Sequence, residues 1–116
     1  MSSKRYRIVN TKSLTAHRCP CGTAKRAFTD DPDQIASLHV VNVGETSKTH
    51  YHKKMTEIYY ILEGHGQIEL DGMRFDVEPG SSIMIKPGCR HRAIGKLKLL
   101  NIPVPAFDPE DEFFDE

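Results

Sequence analysis

Between Gly44 and Gly64 the chain reads GETSKTHYHKKMTEIYYILEG, with His50 and His52 two residues apart and Glu57 five residues further on. In a β-strand, residues two apart project to the same face, so His50 and His52 can aim their imidazoles at one point, as ligands of a metal ion do. The Glu57 carboxylate joins them if the chain stays extended or makes a small irregular step through Lys53, Lys54, Met55 and Thr56. A fourth ligand has to come from elsewhere in the chain. Imidazole and carboxylate donors suit divalent iron, manganese, nickel, cobalt, copper or zinc alike, so the ligand types do not select the ion. With four protein ligands, an octahedral ion keeps two positions for water, substrate or dioxygen, which distinguishes a catalytic centre from a closed structural one.

The elements that position these residues read as strands. EIYYILEG is rich in β-branched and aromatic residues and has no helix-start signal. From Leu38 onward, LHVVNV, EIYYILEG, GQIEL, MRFDV, SSIMI, HRAIG and LKLLNIPV are seven candidate strands, and no stretch after residue 37 has helical periodicity. Asp71-Gly72 signals a hairpin, because both residues tolerate the positive φ of a type I′ turn. Glu78-Pro79-Gly80-Ser81 and Lys86-Pro87-Gly88-Cys89 carry the Pro-Gly pattern of type II turns. Short strands joined by tight turns predict an all-β sandwich or barrel. GQIEL and MRFDV alternate, giving each a dry and a wet face, whereas EIYYIL and SSIMI are apolar on both; a jelly-roll barrel fits both patterns. If Glu57 points inward, Tyr59 and Ile61 follow it and Tyr60 points out, which makes Tyr59 a candidate catalytic residue whose hydroxyl orients a substrate or donates a proton. Before residue 38, residues 4 to 10 predict a short edge strand, and Gln34 to Ser37 a single helical turn.

A length of 116 residues predicts one domain. The formal net charge of zero argues against nucleic acid or an anionic membrane as partner, leaving a small-molecule substrate or ligand. No segment has the apolar length of a membrane span and none follows the basic N-terminus as a secretory core would, so the expected location is cytoplasmic. Three cysteines are not a disulfide framework, and Cys19 and Cys21 stand too close in sequence to bridge without strain; Cys19, Cys21 and Cys89 are all expected as reduced thiols. His17, Cys19 and Cys21 alternate in HRCPCG and are of zinc-ligand type, but the set is incomplete, and Pro20 and Gly22 favour a turn.

Gly44, His50, His52, Glu57 and Gly64 resemble the first motif of the cupin superfamily at every fixed position. Gly80, Gly88 and His91 in GSSIMIKPGCRHRAIG resemble the second, with Lys86 in place of its usual first proline and Gly95 in place of its final asparagine. The resemblance implies a cupin-type jelly-roll β-barrel (double-stranded β-helix) over 38–104, an N-terminal extension over 1–37 that packs on the barrel or on a partner subunit, and an acidic tail over 105–116 carrying Phe107, Phe113 and Phe114. It supplies His91 as the fourth ligand of a divalent transition metal beside His50, His52 and Glu57. It further implies an oxygenase- or isomerase-type enzyme acting on a small polar metabolite, or alternatively a non-catalytic metal-containing protein that binds a sugar or other small metabolite. Small cupins commonly pair, so a homodimer is expected.

Overall fold

The computed structural model describes residues 4–45 and 47–115. A 3-10 turn at Thr11–Ser13 precedes seven strands: β1 (His17–Cys19), β2 (Gly22–Ala27), β3 (Leu38–Val43), β4 (Thr56–Leu70), β5 (Met73–Val77), β6 (Ser82–Ile85) and β7 (His91–Val104). All pairings are antiparallel, in the order β1-β2-β3-β7-β4-β5, and β6 shares with β5 the edge of β4 opposite β7. The result is a jelly-roll β-barrel whose backbone is the long β4–β7 ladder. β1 and β2, from the N-terminal region, extend the same sheet through β3.

Successive rungs of the inner face differ in character. Ala24, Val41, Leu99 and Ile61 stand opposite one another on β2, β3, β7 and β4, and all four are buried. Full burial of side chains the size of Ile61 or Leu99 contributes about 1.5–3 kcal/mol each. One rung along, the same strands present Arg26, His39, Asn101 and Tyr59. The barrel therefore has an apolar floor and a polar upper tier.

The expected turns form at Asp71-Gly72 and around Gly80 and Gly88, with φ of 48° and 85° in the hairpin pair and 97° and 90° at the two later glycines. Elsewhere the structure corrects the sequence reading. EIYYILEG and GQIEL are one strand, as are HRAIG and LKLLNIPV, because Gly64-His65-Gly66 is not a turn but the place where β4 passes close against β7. A Cβ on Gly66 would lie 2.2 Å from the carbonyl oxygen of Ile94. Just before it, the ladder shifts register between Ile61 and Glu63. Residues 4 to 10 form no strand and Gln34 to Ser37 no helical turn. MRFDV has no dry face beyond Val77, leaving Met73 and Phe75 exposed, and Met84 and Tyr60 show that SSIMI and EIYYIL each bury one face only.

Cys19 and Cys21 are joined by a disulfide, contrary to the reduced thiols expected. Sequence proximity alone suggested strain, but Pro20 lies at the tip of the β1–β2 hairpin, and the reversal there sets the two Cα atoms 5.2 Å apart, within ordinary disulfide reach. Both thiolates of the alternating His17 set are thereby consumed. Cys89 is free.

Candidate metal centre

His50, His52, Glu57 and His91 converge inside the barrel. All four are buried, and one donor atom from each lies within 4.8 Å of every other. His50 and His91 face each other across an isolated bridge, with N–H to O distances of 3.1 and 2.9 Å. His52 is tied to the turn before β7 by Gly88 N–H, which donates to its carbonyl at 2.7 Å. Glu57 enters from β4, paired with Ile85 on one side and Pro103 on the other.

Each imidazole has the same hydrogen-bond logic. Nδ1 of His50 meets the carbonyl of Lys48 at 2.9 Å, that of His52 the carbonyl of Asp111 at 2.6 Å, and that of His91 the carbonyl of Cys89 at 2.9 Å. A carbonyl only accepts, so Nδ1 carries the proton in all three rings and Nε2 presents a lone pair to the shared point. Nε2 of His52 and of His91 each approach Glu57 Oε1 to 3.0 Å, close enough for an ion pair. Yet none of these three buried atoms is in hydrogen-bonding geometry with any partner. Buried polar atoms without partners are costly, and a divalent cation at their centre satisfies all of them, so the donor set fits a metal.

The electrostatics follow from burial and from Glu57. Burial, followed by the charge of His91, lowers His50 to about 4 and keeps it neutral. Burial also lowers His52, but the Glu57 carboxylate outweighs it and the net shift is upward. Burial pushes Glu57 up, and the two histidines reverse this and hold its carboxyl well below the usual range.

The irregular step from His52 to Glu57 has a cause that sequence reading missed. Asp111, buried in the C-terminal tail, accepts from the backbone N–H groups of Lys53 at 2.8 Å, Lys54 at 3.0 Å and Met55 at 2.9 Å. One carboxylate thus folds the bend between two ligands, while its own carbonyl orients His52. Phe113 bridges to Tyr51 next door, and Arg90 pairs with Asp115 at 2.8 Å. Of the tail phenylalanines, Phe107 packs edge-on against His39, Phe113 stacks at a tilt on Tyr51, and Phe114 is exposed.

Tyr59 is buried, its ring 6.1 Å from that of His91, and it lines a narrow pocket with His50, Glu57, Arg26, Asn101 and Glu112. Burial, then the charge of Glu57, raises its hydroxyl well above the usual range and keeps it protonated. Asn101 donates Nδ2–H to Glu57 Oε2 at 2.6 Å, holding the carboxylate in place. A wider, open groove along the β4–β5 hairpin, lined by His65, Gln67 and Asp76, contains none of these residues. His65 is exposed and His39 buried.

A buried three-histidine, one-glutamate cluster in a small jelly-roll barrel defines a cupin with a centre able to hold a metal. The chain belongs to the cupin family: the family model described as Cupin domain matches residues 37–101. Among curated proteins it is 41% identical over 76 residues to the uncharacterized protein MJ1618 of Methanocaldococcus jannaschii, covering 62% of this chain and 61% of that one. The chain thus spans about three-fifths of that relative's length. Among solved structures, a protein from Planctomyces limnophilus superposes with a TM-score of 0.90 at 36% identity, over 97% of this chain and 100% of that one. Pac13 of Streptomyces, described as a nucleoside dehydratase, superposes with a TM-score of 0.79 at 18% identity, over 97% and 95% of the two chains, a likeness of fold. Among the described residues no helix is long and apolar enough to cross a membrane.

Proposed function

We propose that the protein is a metal-dependent enzyme acting on a small polar metabolite, with a divalent ion held by His50, His52, His91 and Glu57 and Tyr59 serving as proton donor. The observation that carries this reading is the set of buried, partnerless donor atoms on His52, His91 and Glu57 facing one point. A divalent ion held by these residues would supply Lewis acidity toward a substrate oxygen. His50, His52 and His91 keep their Nε2 atoms aimed by giving Nδ1–H to backbone carbonyls. Asn101 holds Glu57 Oε2, and Tyr59, whose hydroxyl stays protonated, stands at the pocket wall able to donate a hydrogen bond to a substrate oxygen. These features favour isomerase- or lyase-type chemistry. That a cupin of this size and overlap is described as a dehydratase is in keeping with it. An oxygenase is the second reading, resting on the two positions that four protein ligands leave open on an octahedral ion.

Elemental analysis of purified protein, followed by oxygen-uptake and isomerisation or dehydration screens with the native metal restored, separates these outcomes. Stoichiometric metal with turnover and no oxygen uptake supports the proposal, and substrate-dependent oxygen uptake replaces it with the oxygenase. Metal with no turnover in any class moves the protein to the binding role. The reading includes a cytoplasmic homodimer, for which the exposed Met73 and Phe75 on β5 offer apolar surface; a monomer by light scattering removes the pairing and leaves the metal centre untouched.

A further inference from the structure

The polar rung of the inner face holds more than the proposed metal chemistry uses. Arg26 lies on the same face of β2 as the buried Ala24, so its side chain enters the barrel rather than solvent. Its guanidinium carbon sits 4.4 Å from the centre of the Phe107 ring, and its Nε is buried with no hydrogen-bond partner. Among the described residues no carboxylate comes within ion-pair distance of it. Two strands away, Asn101 is 7% exposed and its Oδ1 is likewise partnerless. The orientation of that amide is fixed, because its Nδ2 donates to Glu57 Oε2, a carboxylate oxygen that can only accept.

A half-buried cation with an idle donor is expensive to keep, and packing does not require one: the preceding rung fills the same strand with Ala24. Arg26, Asn101, Glu57 and His50 line one pocket, so the idle donor and the idle acceptor face the same space as the ligand cluster. A guanidinium matches a carboxylate in shape and charge, and a lone amide oxygen asks for a hydroxyl or N–H. Glu112 lines the same pocket, where its charge supports the charged form of Arg26 while burial raises its own carboxyl.

We infer that Arg26 is the specificity-determining residue of this site, binding the carboxylate of a small hydroxy monocarboxylic acid whose hydroxyl donates to Asn101 Oδ1. This rests on the metal-dependent reading above for the position of the reacting end, but the recognition of the acid is Arg26's own.

The test uses the full chain loaded with cobalt(II), its metal content measured, and titrated with glycolate and lactate against their neutral amides, glycolamide and lactamide. Binding is read from the visible cobalt bands and from the melting temperature. A charge-assisted pair is worth roughly tenfold or more in affinity, so the acids bind the wild type at least about tenfold tighter than the amides. Arg26→Gln abolishes that preference while cobalt stays at its wild-type level. An equal preference in Arg26→Gln and wild type, or none in the wild type, overturns the inference. If Arg26→Gln does not fold by circular dichroism, Arg26→Lys decides: a reduced preference supports the inference and an unchanged one overturns it. If the protein takes up no cobalt, the metal-dependent reading fails by itself, and the same acid-against-amide comparison by melting temperature on metal-free protein judges Arg26.

Discussion

The main-chain carbonyl of Asp111 accepts the Nδ1–H of His52 at 2.6 Å, across 59 residues of sequence. The same aspartate's carboxylate gathers the amides of Lys53, Lys54 and Met55, so one tail residue both orients a ligand and folds the segment leading from it to Glu57.

Asp111→Ala removes three charge-assisted backbone hydrogen bonds. Bonds of that kind contribute about 1.5–3 kcal/mol each when intact, and relaxation of the bend recovers part of the loss, so chemical denaturation should show a destabilisation of about 3 kcal/mol. The bend also sets His52, and metal affinity in a competition titration should fall by about 10- to 100-fold, as for other residues that orient ligands. An unchanged affinity would show that His52 is held by other contacts.

His52→Ala deletes a ligand from a buried cluster without opening the apolar floor of the barrel. The variant should stay folded by circular dichroism and lose stoichiometric metal in elemental analysis. Full retention of metal would sink the ligand assignment.

Tyr59→Phe keeps the ring that packs near His91 and removes only the hydroxyl. With the metal content unchanged, kcat on a substrate found by the screens should fall by about 10²- to 10⁴-fold, the usual contribution of a positioned proton donor. A variant with wild-type kcat assigns the tyrosine to packing.

Acid should weaken the metal-free protein through His39. Burial, followed by the charge of Arg26, lowers this histidine from 6.5 to about 4, and Ser37 Oγ lies 2.9 Å from its Nε2. Between those pH values the unfolded chain takes up a proton that the folded one refuses, so stability is intact above pH 6.5 and declines as pH falls toward 4. Each pKa unit is worth 1.36 kcal/mol, which makes the loss about 3 kcal/mol at most. Denaturation curves at pH 7 and pH 4.5 should show a smaller drop in His39→Gln than in wild type. Equal drops would place the acid sensitivity elsewhere.

Thiol labelling of the unfolded chain checks the hairpin bridge. Without reductant only Cys89 should react, and with reductant all three cysteines should. Removing the bridge by Cys19→Ser together with Cys21→Ser should cost about 1.5 kcal/mol, because closing so short a loop restricts the unfolded chain only slightly. Three reactive thiols without reductant would restore the reduced state expected from the sequence.

The barrel and three of the four residues that converge in it were legible because their signals are local, whereas His91 entered only through the resemblance to the second cupin motif. His50, His52 and Glu57 share one short stretch, Gly88 and His91 share one turn, and Asp71-Gly72 declares its hairpin by residue type alone. The alternation that turned Tyr59 and Ile61 inward and Tyr60 outward also needs only neighbouring residues. Gly64 and Gly66 mislead because glycine serves two purposes: at the ends of EIYYILEG and GQIEL they suggest a break between two strands, whereas here they admit the backbone of β7 at close range. Asp111 and Arg26 were illegible for another reason. An acid in an acidic tail and a base in a polar strand look solvated, and their partners are backbone amides more than fifty residues away or an inward tier that appears only once the strands are in register.

The tail strap also sets an order of events during synthesis. Translation runs from the N-terminus at about 5–20 residues per second, so His50, His52, Glu57 and His91 are all made before Asp111. A nascent chain that already carries the four ligands still lacks the residue that bends Lys53 to Met55 and aims His52. If the cluster holds the proposed ion, tight capture waits for residue 111, and a ribosome-bound chain stopped short of it should lose that ion to a cellular chelator.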